Sequence, residues 1–119
     1  MKKVVDLFCG CGGFSEGFHL ANFKIISAID HWQAARESIA MNHGESVIPA
    51  AAKKYNFDIE KISKLPDKEF HEIIPDSEII IGSPPCVSFS NSNKSGNVNK
   101  DLGIRLIEAF MRIVARKKK

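Results

Sequence analysis

A chain of 119 residues, 44% apolar, with a formal charge of +3, has room for one domain and lacks the strong charge imbalance of a dedicated polyelectrolyte binder. No apolar run approaches the ~20 residues of a membrane helix, and Met1-Lys2-Lys3 leads straight into a strand-like segment, so a cytoplasmic protein is expected. Three cysteines, Cys9, Cys11 and Cys86, argue for reduced thiols, and with His19, His31, His43 and His71 scattered they lack zinc-site spacing, so no metal is expected.

Residues 4–8, Val4-Val5-Asp6-Leu7-Phe8, read as a buried strand, and residues 14–21 as the helix after it. Between them Cys9-Gly10-Cys11-Gly12-Gly13 makes a turn in which Gly10, Gly12 and Gly13 permit positive φ and close approach of a ligand, beside the amide-rich start of a helix. Two readings stand for this turn: a cradle for a nucleotide-like cofactor, or an ordinary tight connection, since the spacing is not the Gly-x-Gly-x-x-Gly of dinucleotide enzymes. Residues 23–29 give a second strand closed by the acidic Asp30, and residues 32–41 return to helical spacing until Asn42-His43-Gly44 stops them. Trp32, the single tryptophan, is expected to pack on the adjacent helix.

Farther on, Ser46-Val47-Ile48-Pro49 suits a short edge strand and residues 50–55 a helical turn. Asp58 is placed to cap a short helix through Lys64, because aspartate accepts from free first-turn amides, and Pro66-Asp67 separates it from another short element ending at Ile73. Residues 78–81 form the last strand. The polar segment 88–100 should be a mobile loop, and residues 102–117 an amphipathic helix with Leu106, Phe110, Ile113 and Val114 on one side. Much of the excess charge sits in Arg112, Arg116 and Lys117-Lys118-Lys119, which is compatible with nucleic acid but reads more simply as a solvated helix end.

Gly82-Ser83-Pro84-Pro85-Cys86 puts a thiol just past the Ile79-Ile80-Ile81 run, at the end of a parallel strand, where open α/β sheets place their chemistry. Two prolines stiffen the loop and hold it extended, so Cys86 is displayed as a nucleophile rather than packed in a core. The alternation of strands and helices implies an α/β fold with a doubly wound, mainly parallel sheet. The edge of the 78–81 strand should be left unpaired, an association hazard unless another polypeptide covers it.

The two motifs together resemble the DNA (cytosine-5)-methyltransferases. Asp6-Leu7-Phe8-Cys9-Gly10-Cys11-Gly12-Gly13-Phe14 is similar to that family's S-adenosylmethionine loop, and Gly82-Ser83-Pro84-Pro85-Cys86 to its Pro-Cys motif. Ala28-Ile29-Asp30, Met41-Asn42-His43-Gly44-Glu45 and Phe57-Asp58-Ile59 fall in the matching order; Val87 departs from the usual Gln. The resemblance covers nearly all of residues 1–119 but only the N-terminal part of the family's catalytic domain, and it implies an incomplete Rossmann-like methyltransferase fold with a short third strand at one edge.

The resemblance further implies methyl transfer from S-adenosylmethionine to carbon 5 of cytosine in double-stranded DNA, with a flipped base and a covalent Cys86 adduct. Cofactor contacts would come from Phe8, Gly10, Cys11, Gly12, Gly13, Asp30, His31, Asp58, Ile59, Pro85 and Leu106. In the loop over residues 87–101, a lid by the same analogy, Ser90, Ser92 and Lys94 would contact DNA. The family's Glu-Asn-Val motif and later Arg motif do not occur after Cys86. The chain is therefore expected to be inactive alone, as a truncated product or as a subunit whose partner polypeptide supplies the rest. The alternative is a non-catalytic module that binds S-adenosylmethionine or a nucleotide, for which Cys86 would have no use.

Overall fold

A computed structural model describes residues 1–10, 12–83 and 100–117. Among these, β1 (Lys3–Leu7), β2 (Lys24–Ile29) and β3 (Ile79–Gly82) form one parallel sheet in the order β2-β1-β3. Five α-helices accompany it: α1 (Gly13–Leu20), α2 (Gln33–His43), α3 (Ile59–Ser63), α4 (Asp67–Ile73) and α5 (Lys100–Lys117). None is long and apolar enough to cross a membrane.

The central strand β1 is apolar almost throughout because both of its faces are covered. Val5 and Leu7 point into one core with Ile29, Ile62, Phe70, Ile73, Ala109 and Ile113, so α3, α4 and α5 lie on that face. Val4 points the other way, with Ile25, Ala28, Ile39 and Val47, beneath α1 and α2. A register skip between Val4 and Val5 pairs Val5 with Ser27, whose buried hydroxyl donates to the Ile73 carbonyl at 3.1 Å. This is the doubly wound α/β arrangement expected, and among the described residues it has three strands, with β3 paired to β1.

Four expectations need correction. No edge strand forms at residues 46–49: Glu45–Val47 and Ala50–Tyr55 are 3-10 turns, closed locally by Ile48 N–H to Glu45 O and Ala52 N–H to Pro49 O. Pro49 has no ladder donor to give, and Val47 instead packs under β2. Trp32 stands just ahead of α2 in extended conformation and is 59% exposed rather than packed. Helix α5 begins at Lys100, and its buried stripe runs through Ala109 and Ile113 while Val114 turns outward.

The basic end of α5 is the fourth. Arg112 donates to Ser63 Oγ at 2.8 Å, and Arg116 donates to the Ser63 carbonyl at 3.0 Å and stacks 3.8 Å over the Phe70 ring. Lys117 reaches His71 and Asp76. These side chains tie α5 to α3 and α4 instead of facing solvent as a group.

Candidate functional site

The carboxyl ends of β1 and β2 converge on the glycine turn. Cys9 N–H donates to Ile29 O at 3.1 Å, and Gly10 N–H donates to Asp30 Oδ2 at 2.9 Å, while Asp30 Oδ1 accepts from Trp32 N–H at 2.9 Å. The turn is thus hung from the residue that closes the neighbouring strand. Gly10 (φ +54°) and Gly12 (φ +90°) take the left-handed conformations that glycine permits. Gly13 does not, being the first residue of α1; Phe8 does instead, with φ +58°. Among the described residues, a Cβ on Gly10 would meet nothing within 4 Å, and no side chain caps the start of α1.

Two cavities adjoin at the end of β1, the first of them over this turn. One, of about 610 Å³, is lined by Phe8, Gly10, Gly13, Asp30, His31 and Ser83. The other, of about 410 Å³, is lined by Phe8, His31, Asp58, Ile59 and Leu106 among others. Phe8 and His31 belong to both. Asp58 caps α3 as expected, and both cap bonds, from Glu60 N–H at 2.8 Å and Lys61 N–H at 3.4 Å, go to Oδ1. Cys11, Pro85, Cys86, Ser90, Ser92 and Lys94, with the expected loop up to residue 99, lie outside the described residues.

The profile of the C-5 cytosine-specific DNA methylase family matches residues 2–119. The chain belongs to that family. It is similar to the type II methyltransferase M.HindV of Haemophilus influenzae, 38% identical over 92 residues, which are 77% of this chain and 27% of that protein. Its likeness to the type II methyltransferase M.NgoFVII of Neisseria gonorrhoeae extends over 118 residues at 36% identity, 98% of this chain and 28% of the other. For M.HgiGI of Herpetosiphon aurantiacus the figures are 36% over 97 residues, 77% and 65%. The chain spans about a quarter of the length of several curated relatives it matches.

Within this family member, two buried titratable groups, Cys9 and Asp6, lie at the turn and beneath it. Burial pushes the Cys9 thiol up to about 12, with the charges of Asp6 and Asp30 adding to it, so Cys9 stays protonated and is no nucleophile. Burial likewise raises the Asp6 carboxyl to about 6, against the hydrogen bond that Ser15 Oγ donates to Oδ2 at 2.6 Å. Its other oxygen, Oδ1, has no hydrogen-bond partner.

Four residues were given no site role by the sequence. Asp6 and Ser15 join β1 to α1 beneath the turn; Asp6 stood in the glycine-loop motif, but nothing in the sequence marked its bond to Ser15. Phe57 follows Asn56, both with positive φ (53° and 55°), which no glycine marks. Arg36, on α2, reaches the Asp30 and His31 carbonyls and the Phe57 ring together, and nothing in its spacing announces that.

Proposed function

We propose that this chain holds S-adenosylmethionine over the carboxyl ends of β1 and β2 and presents Cys86 as the nucleophile for methylation of carbon 5 of cytosine in DNA. The observation that carries this reading is the pair of cavities joined through Phe8 and His31, with Asp30 and Ser83 in the wall of one and Asp58 in the wall of the other. Ser83 stands three residues before Cys86.

The donor set suits this cofactor. Each Asp30 oxygen takes one amide bond and keeps a lone pair for a ribose hydroxyl. Asp58 Oδ2, not engaged in the cap, is available to an adenine amino group, and Phe8, Ile59 and Leu106 supply apolar contact for the ring, with His31 against it. We assign Gly10, Cys11, Gly12, Gly13 and Pro85 to the rest of the molecule, the glycines because they let it approach the main chain closely. When bound, S-adenosylmethionine supplies an electrophilic sulfonium methyl group.

Cytosine carbon 5 is too weak a nucleophile to accept that methyl unaided. The Cys86 thiolate would add to carbon 6, making carbon 5 enamine-like; carbon 5 would take the methyl as the sulfonium carbon–sulfur bond breaks to leave a neutral thioether, and loss of the carbon 5 proton to water or another base would break the carbon 6–sulfur bond and return the thiolate. The base must first leave the duplex, at a cost of a few kcal/mol. We assign Ser90, Ser92 and Lys94 to the DNA, Lys94 to a phosphate. We read residues 1–119 as the N-terminal part of a catalytic domain; the Glu-Asn-Val and Arg motifs would come from a second polypeptide or from further chain.

The test pairs two measurements on Cys86→Ser. Labelled S-adenosylmethionine should bind the variant as it binds the wild type, while methyl transfer to duplex DNA, by the chain combined with the polypeptide carrying the remaining motifs, should be abolished. Equal loss of both would remove the nucleophilic role. Undiminished transfer would do the same. Absence of cofactor binding by the wild type would sink the reading as a whole.

A further inference from the structure

We infer that Arg36 is a positioning residue that fixes the spacing of the two cavity walls and thereby the affinity for the cofactor; the inference rests on the pocket assignment proposed above. One Arg36 nitrogen, Nη1, donates to the carbonyls of Asp30 at 2.9 Å and His31 at 2.8 Å, the residues of the β2 exit that face the turn. The Cζ of the same guanidinium lies over the Phe57 ring, 4.0 Å from its centroid. Phe57 immediately precedes Asp58 and Ile59, which line the other wall.

A single planar group therefore touches both walls at once. The Phe57 side needs holding: Asn56 and Phe57 are consecutive left-handed residues, and for a bulky L side chain such as Phe that conformation persists only when surrounding contacts enforce it. Backbone bonds from Phe57 N–H to Ala52 O and Asp58 N–H to Tyr55 O close the turn on its own side. Arg36 covers the Phe57 ring and connects that turn to β2. Guanidinium suits the task because its extended, delocalised cation lies over a ring while one nitrogen donates to two carbonyls, a reach the compact point charge of an ammonium does not match.

The connection has a consequence that a packing residue elsewhere would not have. Loosening it lets the Asp30-His31 wall and the Asp58-Ile59 wall move independently, so a ligand spanning both must pay for ordering them. Affinity should fall by about tenfold, comparable with the loss of one cation–π contact or charged hydrogen bond.

Two readouts test this in the full chain. Amide hydrogen exchange should quicken in Arg36→Ala at residues 30–32 and 56–58 while β1 keeps its protection, and S-adenosylmethionine should bind about tenfold more weakly. Arg36→Lys keeps the charge and should fail to restore either. Unchanged exchange, unchanged affinity, or full rescue by Arg36→Lys would each overturn the inference. If the wild type itself bound no cofactor, the pocket assignment and the affinity claim would fall together, whereas faster exchange at both walls would still mark Arg36 as their tie.

Discussion

The Asp30 carboxylate accepts from the Gly10 amide at 2.9 Å, so the residue at the end of β2 sets the shape of the turn that follows β1. A second bond, from the Trp32 amide, fixes the carboxylate itself. Removing both in Asp30→Ala strands two amides and should cost about 1–3 kcal/mol of unfolding free energy, measured by chemical denaturation. Asp30→Asn keeps one acceptor and should lose less. An Asp30→Ala chain as stable as the wild type would mean that the turn holds its shape without this side chain.

Gly82 ends β3 where Leu7 ends β1, and the two are register partners. A Cβ there would lie 2.5 Å from Phe110 Cε2 and 2.7 Å from the Leu7 carbonyl oxygen. The ring has somewhere to go, but the carbonyl belongs to the central strand and does not. Gly82→Ala should therefore destabilise by about 1–3 kcal/mol, and adding Phe110→Leu should recover only part of the loss. Complete recovery in the double variant would locate the whole clash at the ring.

Asp6 gives stability a pH dependence of defined sign. Its carboxyl is raised from 3.8 to about 6 in the folded chain, so between these values the folded state holds a proton that the unfolded chain has released. Stability from this group is complete below the unfolded value, falls as pH rises toward 6, and stays low above it; the difference is about 3 kcal/mol. Asp6→Asn still offers Ser15 an acceptor but does not titrate. Subtracting its stability-against-pH curve from that of the wild type should leave a fall between pH 4 and 6, and a flat difference would contradict the buried, raised carboxyl.

Arg116 touches Asp67, Ser63 and Phe70, and the three contacts are unequal. Asp67 is 87% exposed, so that ion pair is worth under about 1 kcal/mol. The Phe70 ring is wholly buried and the Ser63 carbonyl has Arg116 as a donor. Arg116→Ala should thus cost about 1–2 kcal/mol while Asp67→Ala costs less than half as much, and added salt should narrow only the second effect. Thermal unfolding at two salt concentrations separates these; equal costs would show the ion pair to dominate.

The three strands and the glycine turn were legible because short, mostly apolar runs followed closely by Gly or Asp mark the strands of a parallel sheet. Asp58 was legible as a cap for an equally local reason. Periodicity failed where it had to say what lies opposite a face: Val114 and Ile113 are neighbours on α5, yet one meets solvent and the other the core. Val47 and Ile48 have strand-forming side chains, but i→i+3 bonds close on either side of Pro49, the first set following Gly44 at φ +92°. The basic end of α5 and Arg36 share a cause. Long cations reach partners tens of residues away, and only the folded chain brings Ser63, Phe70 or Phe57 within reach.

Photo-cross-linking with methyl-labelled S-adenosylmethionine, followed by peptide mapping, tests the cofactor pocket most directly. The expected result is label, displaced by excess unlabelled cofactor, on peptides containing residues 8–14, 30–32 or 57–60. Label confined to other peptides, such as those of α4, or no displaceable label at all, would contradict the placement of the cofactor over the β1 and β2 ends.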